Sequence, residues 1–219
     1  MITENIQRVR GRIDVVCSKI KRDPGKITLV CVVKGRSLAE VQEAIGSGIK
    51  DIGENRMQEA LLKYNDMSQA TRGTLKWHMI GHLQSNKAKD AVRIFDLIHS
   101  VDSVNLAQEI NKQAAKINKT QEVLLEVKTS PESTKSGFSP EAIPDARAKM
   151  LGLGNIKVRG LMTIAPLGES AQPYFARLRK LRDDLNPEWL LSMGMSDDFE
   201  VAIEEGTDII RVGRAIFEG

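Results

Sequence analysis

The stretch TLVCVVKGRSLAEV, residues 28–41, contains the strand, the loop and the helix start on which the fold assignment depends. Its apolar, β-branched run ends at Lys34, and Gly35 leads into apolar residues at helical spacing. Ser37 and Glu40 have the spacing of a capping box, which predicts that a helix begins there. Lys34 then has two interpretations. It is either a strand-end lysine whose amine reaches solvent or an amine nucleophile at the mouth of a sheet.

The same strand–helix unit recurs along the chain, because short β-branched runs alternate with longer segments at helical spacing. A first helix is predicted over residues 3–21. The predicted strands that follow are 27–33, 50–53, 76–81, 97–101, 122–128, 158–164, 189–193 and 209–212. The segment TSPESTKSGFSPEAIP, residues 129–144, is predicted as a long strand-to-helix loop.

Eight strand–helix pairs favour a parallel sheet, because each crossover helix returns the chain in the same direction. We therefore predict an α/β fold, a single (β/α)8 TIM barrel domain over residues 1–219 with an additional N-terminal helix. The alternative is an open doubly wound sheet. Against that alternative, no G-x-G-x-x-G pattern follows the first strand, where a dinucleotide-binding fold would carry it.

The composition excludes several classes of protein. The 219 residues carry a formal charge of +3, which is too small for the basic footprint of a nucleic-acid-binding protein. No segment has the length and apolarity of a membrane span, and the N-terminus lacks the apolar region of a signal peptide. The two cysteines, Cys17 and Cys31, are too few for a disulfide framework, and we expect a reducing, cytoplasmic location.

A TIM barrel carries its site at the carboxyl ends of the strands, and polar or small residues follow most of the predicted strands. The residues at or just beyond the strand ends include Lys34, Asn55, His82, Ser100, Asp102, Ser196, Arg211 and Gly213, together with the apolar Met162. The zincin pattern H-E-x-x-H is absent, since Met79 follows His78, so no metal site is expected. His78 and His99 are interpreted as packed side chains, and Trp77 and Trp189 as core.

The last two strand ends have features of a phosphate cradle. GMSDDFEVAI, residues 194–203, places Ser196 as a helix N-cap, and RVGRAIF, residues 211–217, places Gly213 before a short helix. Loops after strands seven and eight of a TIM barrel often bind phosphate. A helix cap followed by a tight turn would explain the same residues equally well. The acidic side chains of Asp197 and Asp198 would repel a phosphate unless they point outward.

A phosphate site facing a strand-end lysine indicates a Schiff base, because a desolvated amine beside a cation becomes nucleophilic at neutral pH. Arg211 is a candidate for that cation or for a ligand contact. Two ligand classes fit these residues: a phosphorylated sugar carbonyl, as in a lysine aldolase, or pyridoxal phosphate.

Several segments resemble the YggS/PROSC family of pyridoxal phosphate homeostasis proteins over nearly the whole chain. They are CVVKGRSLAEVQEAI, DIGENRMQEA, WHMIGHLQSNKAK, IHSVDS, TKSGF, GLMTIAP and LSMGMSDDFEVAIEEGTDIIRVGRAIF. The resemblance implies a barrel similar to the N-terminal domain of alanine racemase. It also implies pyridoxal 5'-phosphate held as an aldimine of Lys34, intracellular homeostasis of that cofactor, and no established catalysis.

The resemblance also implies roles for individual residues. Ser196 and Gly213 match phosphate ligands, Arg211 matches the residue facing the pyridine nitrogen, and Asn55, Ser100 and Met162 match positions around the ring. Where the family usually has other residues, this chain has Val33, Lys128, Thr207–Asp208 and Glu218. Val33 stands where the family usually has a serine before the lysine, so the activation of Lys34 can differ from the family pattern. Lys128 places a second amine near the carboxyl ends of the strands.

Two classes of function follow. One is a binding protein that stores or delivers pyridoxal phosphate, with apo-enzymes that use the cofactor as recipients and a monomeric state. The other is an active enzyme, either racemase-like or a Schiff-base aldolase. Racemisation needs an acid and a base on opposite faces of the cofactor. In alanine racemase a second domain supplies a tyrosine, whereas the only tyrosines here, Tyr64 and Tyr174, fall in predicted helices.

Overall fold

Eight parallel strands close into a barrel in the computed structural model, which describes residues 1–130 and 136–219. Each strand pairs with the next one along the chain, and the last pairs with the first. The strands are β1 Thr28–Val32, β2 Asp51–Glu54, β3 Lys76–Met79, β4 Leu97–Val101, β5 Gln121–Glu126, β6 Ile156–Met162, β7 Leu190–Ser192 and β8 Ile209–Val212. This topology confirms the predicted (β/α)8 fold.

Helices surround the barrel, and the predicted N-terminal helix precedes the first strand. They are α1 Ile2–Lys19, α2 Leu38–Gly46, α3 Met57–Asp66, α4 Gln69–Gly73, α5 Ala88–Ile94, α6 Val104–Ala115, α7 Ile143–Met150, α8 Gln172–Leu185, α9 Phe199–Glu204 and α10 Arg214–Phe217. Helix α1 buries Ile6, Val9 and Ile13 along one face and packs against α2, α9 and α10. It therefore covers the junction between the first and last barrel units.

Two apolar clusters form the core. The larger one lies between strands and helices, and it includes the buried Trp77 and Trp189, as predicted. The smaller one fills the barrel interior with side chains from five strands: Val30, Leu97, Leu124, Met162 and Ile209. Because successive strand residues point to opposite faces, the next inward positions along each strand lie nearer the carboxyl-end rim.

Most predicted boundaries lie within two residues of the observed ones, and β4 and β8 coincide with the prediction. The capping box of α2 is confirmed, since Ser37 and Glu40 each bond to the other's backbone N–H. The prediction that Ser196 is a helix N-cap was wrong: α9 begins at Phe199, and the residue before it is Asp198. The chain makes an extra turn there because the Met195 N–H donates to Asp198 Oδ1 at 2.6 Å.

The predicted loop 129–144 is seen in part, because residues 131–135, including Thr134 and Lys135 of the TKSGF motif, lie outside the described residues. The part that follows contains α7, which begins at Ile143 within the predicted loop. In the ranges 1–130 and 136–219, no helix is both long enough and apolar enough to cross a membrane.

Candidate functional site

A cavity of about 340 Å³ opens at the carboxyl ends of the strands, a volume in the range of small-molecule sites. Five of the seven predicted site residues line it, namely Lys34, Asn55, Ser196, Arg211 and Gly213. They come from the ends of β1, β2, β7 and β8, which are far apart in sequence. The other two, Ser100 and Met162, are buried away from its lining.

Lys34 lies in a turn two residues beyond β1, and its side chain is exposed. The turn is held from α3, because the Gly35 N–H donates to Glu59 Oε2 at 2.7 Å. Lys63, also in α3, places its Nζ 2.6 Å from Glu54 Oε1 and 3.9 Å from Glu59 Oε2. Burial raises the pKa of Glu54, and the Lys63 ammonium partly offsets that effect.

Val33, the first departure from the family pattern, packs into the outer core and is fully buried. It does not line the cavity that Lys34 enters. Two other departures also have structural partners. Thr207 Oγ1 bonds to the backbone of both β7 and β8, and Glu218 pairs with Arg36 beside the β1 turn.

Arg211 is the buried cation of the site. Its Nη1 donates to Ser192 Oγ at 2.7 Å, and its Nη2 donates to the Thr163 carbonyl at 2.9 Å. Burial lowers its pKa to about 10, opposed by the carboxylates of Asp198 and Glu126. The guanidinium therefore stays charged at neutral pH.

A line of polar side chains runs from Arg211 through the barrel interior. Ser192 Oγ lies 2.9 Å from His99 Nδ1, and His99 Nε2 lies 2.9 Å from His78 Nδ1. His78 Nε2 then lies 3.0 Å from Asp51 Oδ1 at the opposite end of the barrel. Burial is the main cause that holds the pKa of His99 well below its usual range, and the Arg211 cation adds to it.

Both histidines are buried, as the sequence predicted, and they are hydrogen-bonded to each other. Within the described part of the chain, no group of three or more histidine, cysteine or acidic side chains could hold a metal ion. His82 lies at the rim, where its Nδ1 is 3.2 Å from Asp102 Oδ2.

The ends of β7 and β8 meet beside Lys34. The Ser196 hydroxyl accepts a hydrogen bond from the Ala215 N–H at 3.2 Å, which joins the two loops. Asp197 pairs with Arg214 at the exposed mouth, and Asp198 turns back onto its own loop. Gly213 packs closely against β1, since a Cβ there would lie 3.2 Å from the Val32 carbonyl oxygen.

Asn55 brings an unused polar atom to the cavity. Its Oδ1 is buried and has no hydrogen-bond partner among the described residues. Its backbone packs so tightly against Gly81 that a Cβ at position 81 would lie 2.3 Å from the Asn55 carbonyl oxygen. Ser100 Oγ donates to the Gly81 carbonyl at 2.6 Å. Ser100 therefore supports Asn55 through Gly81 instead of facing the cavity.

Sequence reasoning missed the apolar wall of the cavity, formed by Val32, Ile80, Ile164 and Leu167. Val32 and Ile80 were detectable, because strand alternation places them on the same inward face as Val30 and His78. It also missed Ser192 and Glu59, which hold Arg211 and the Lys34 turn. Neither has a local motif that distinguishes it from an ordinary strand or helix residue.

The fold and the cavity define the class of protein. The sequence model of the alanine racemase N-terminal domain family matches residues 4–219, so the chain belongs to that family. Within this class the chain belongs to the family of pyridoxal phosphate homeostasis proteins. It is 44% identical to the member from Aquifex aeolicus, over 98% of this chain and 96% of that protein. It is 41% identical to the member from Pseudomonas aeruginosa, over 99% and 94%.

Solved structures agree with that assignment. PipY from Synechococcus elongatus PCC7942, solved with PLP bound, superposes with a TM-score of 0.83 at 35% identity, over 99% of this chain and all of that one. Alanine racemase from Clostridium difficile superposes with a TM-score of 0.74 at 15% identity. The superposition covers 98% of this chain and 56% of the racemase, and at this identity the likeness shows the fold alone.

Proposed function

We propose that this chain binds pyridoxal 5'-phosphate in the rim cavity, with Lys34 as the Schiff-base lysine, and that it takes part in intracellular homeostasis of that cofactor. The observation that carries the proposal is the convergence of Lys34, Arg211, Ser196 and Gly213 on one cavity of about 340 Å³. The PLP-bound relative PipY supports the choice of ligand over a sugar phosphate.

The donor set fits this cofactor. Lys34 supplies the primary amine, and Ser196 with the Gly213 backbone lies where TIM barrels hold phosphate. Asn55 contributes a buried oxygen that has no partner among the described residues. Val32 and Ile80 provide an apolar wall against which a ring can pack.

When bound, pyridoxal phosphate supplies an aldehyde that captures amines and a ring that can withdraw electrons. Arg211 limits the second property. Its buried guanidinium is charged at neutral pH, and if it faced the ring nitrogen, as the family resemblance implies, it would disfavour protonation of that nitrogen. In that position Arg211 would favour holding the cofactor over carbanion chemistry.

Among the described residues, the racemase alternative lacks a tyrosine in this cavity, and the two carboxylates that line it, Asp197 and Glu218, are paired with Arg214 and Arg36. Tyr64 stacks edge-on against Trp77 at 5.3 Å between ring centroids, and the Tyr174 hydroxyl donates to Glu169. Neither tyrosine lines the cavity. These placements support a storage and delivery role, with apo-enzymes as the proposed recipients.

The test is a titration of the purified apo-protein with pyridoxal phosphate, followed by visible absorbance and desalting. We expect a protein-bound visible band that survives desalting, and no steady racemisation or decarboxylation of amino acids. A protein that takes up no cofactor contradicts the proposal, and sustained turnover contradicts the storage role.

We further propose that residues 1–219 act as one cytoplasmic domain and as a monomer. Two free, buried cysteines are consistent with a reducing compartment. Light scattering of the holo-protein tests the monomer, and a stable dimer would contradict it.

A further inference from the structure

The polar line through the barrel has a charge at each end. Arg211 Nη1 lies against Ser192 Oγ at the cavity, and Asp51 Oδ1 lies against His78 Nε2 at the opposite end, where Asp51 is partly exposed. Between them, His99 is fully buried and touches both Ser192 and His78. The function proposed above uses Arg211 but gives no role to the other four residues.

The contacts allow few arrangements of protons. In the first, each group donates to the next: Arg211 to Ser192, Ser192 to His99 Nδ1, His99 Nε2–H to His78 Nδ1, and His78 Nε2–H to Asp51. Both histidines are then neutral and carry their proton on Nε2. Every hydrogen bond in the line has one donor and one acceptor.

The alternatives reverse the direction at the histidines. A doubly protonated His78 would donate to His99 Nε2, and His99 Nδ1–H would donate to Ser192. Ser192 Oγ would then accept twice, and its own buried proton would have no acceptor among the described residues. A neutral His78 protonated on Nδ1 would instead direct a nitrogen lone pair at the Asp51 carboxylate. Each alternative leaves a group unsatisfied, which is costly in a buried network.

The charges act in opposite directions on His78, because Arg211 disfavours a second cation whereas the Asp51 carboxylate favours one. The hydrogen-bond pattern therefore decides the direction of the line. A protonated His78 would be a second cation in the barrel, in addition to Arg211. The carboxylates near Arg211 are Asp198 and Glu126, and Asp51 is the only acid hydrogen-bonded to the line in the described residues. Neutral imidazoles avoid the repulsion from Arg211 but also forgo the attraction of Asp51.

We propose that Ser192, His99, His78 and Asp51 form a one-way hydrogen-bond relay that positions Arg211 at the cavity, with both histidines neutral and protonated on Nε2. The part of this inference that concerns the cofactor rests on the function proposed above. Ser192 and His99 act on the ligand through Arg211 and are positioning residues, since neither lines the cavity.

The direct test is long-range ¹H–¹⁵N NMR of the imidazoles in the apo-protein. The chain has three histidines, and His82, exposed at the rim, gives a comparison signal outside the relay. We expect His99 and His78 to be Nε2–H tautomers. A proton on His99 Nδ1 would overturn the relay. Asp51→Asn keeps an oxygen acceptor, so both tautomers should persist, and their loss would also overturn it.

Variants test the positioning role. Ser192→Ala breaks the link at Arg211 with little change in volume, and we expect about a tenfold or larger rise in the dissociation constant for pyridoxal phosphate. Ser103→Ala, which removes the cap of α6 elsewhere, should bind like the wild type. Equal affinity in the two variants would overturn the positioning role.

His99 provides a second comparison. His99→Gln keeps an acceptor and a donor, so it should bind the cofactor more tightly than His99→Leu, and equal affinities would count against the relay. These results separate the two proposals. If the wild type binds no pyridoxal phosphate, the proposed function fails while the tautomers can still be measured. If it binds but the tautomers are reversed, the relay alone fails.

Discussion

The Glu59 carboxylate accepts a 2.7 Å hydrogen bond from the Gly35 backbone N–H, one residue after Lys34. Glu59 lies in α3, so this contact joins the loop after β1 to the helix after β2. Lys63 lies 3.9 Å from Glu59 and 2.6 Å from Glu54. The position of the Lys34 amine therefore depends on charged residues outside the cavity.

Glu59→Ala should loosen the turn that carries Lys34. The loss of a charged acceptor for a backbone N–H is expected to cost about 1–2 kcal/mol of stability and to weaken cofactor retention. Denaturant unfolding and cofactor titration measure the two effects. Glu43→Ala, an exposed glutamate on α2, is the matched control. If both variants retain the cofactor equally, the turn does not depend on Glu59.

Lys63→Met should destabilise the protein strongly, because it leaves the fully buried Glu54 without its cation. Breaking one partner of a buried pair costs about 3–5 kcal/mol. The double variant Glu54→Gln with Lys63→Met removes both charges and should recover much of that loss. Urea unfolding near neutral pH gives the comparison, and a double variant as unstable as the single one would contradict it.

The cost of Lys63→Met should depend on pH. Burial already raises the folded-state pKa of Glu54, and removal of Lys63 raises it further. A raised folded-state pKa gives stability at low pH that is lost as pH rises through that value. The gap between the variant and the wild type should therefore shrink on acidification. A gap that widens as the pH falls would contradict this account.

Gly81→Ala should disturb Asn55, because the new Cβ would lie 2.3 Å from the Asn55 carbonyl oxygen. Overpacking of this kind costs about 1–3 kcal/mol, and we expect weaker cofactor binding as well. Gly11 occupies an exposed position of α1, and a Cβ there would have nothing within 4 Å. Gly11→Ala should therefore stabilise the helix by up to about 1 kcal/mol. Thermal unfolding of both variants checks the opposite signs.

The cysteines should be inert in the folded protein. Burial raises the pKa of Cys31 to about 12 and also raises that of Cys17. Since the thiolate is the reactive form, alkylation by iodoacetamide should be slow at neutral pH and fast only after unfolding. Rapid labelling of the native protein, detected by mass spectrometry, would contradict the buried placement.

The barrel was predictable because its signals are local. A few neighbouring residues are enough to identify an apolar run, the Ser37 capping box or a strand end. Five of the site residues predicted from such signals line one cavity. The observed roles of Ser196 and Ser100 differ from a helix cap and from a cavity-lining residue because each side chain contacts a different loop. Ser196 bonds to Ala215 in the next loop, and Ser100 bonds to Gly81 of the previous one. No helix or strand periodicity encodes such pairs.

The polar line inside the barrel was hidden for the same reason. His78 and His99 look like isolated core histidines in their own strands, and their hydrogen bond appears only when β3 and β4 are placed side by side. Val33 shows the converse. It departs from the family beside the key lysine, yet the strand turns its side chain into the outer core.

Borohydride reduction of the cofactor-loaded protein, followed by peptide mapping, tests the central claim most directly. The reduction fixes a Schiff base as a stable secondary amine on the residue that formed it. We expect a single pyridoxyl modification, on Lys34, with none in Lys34→Ala and an unchanged yield in Lys128→Ala. A modification on Lys128 or another amine, or one that persists in Lys34→Ala, would contradict the account.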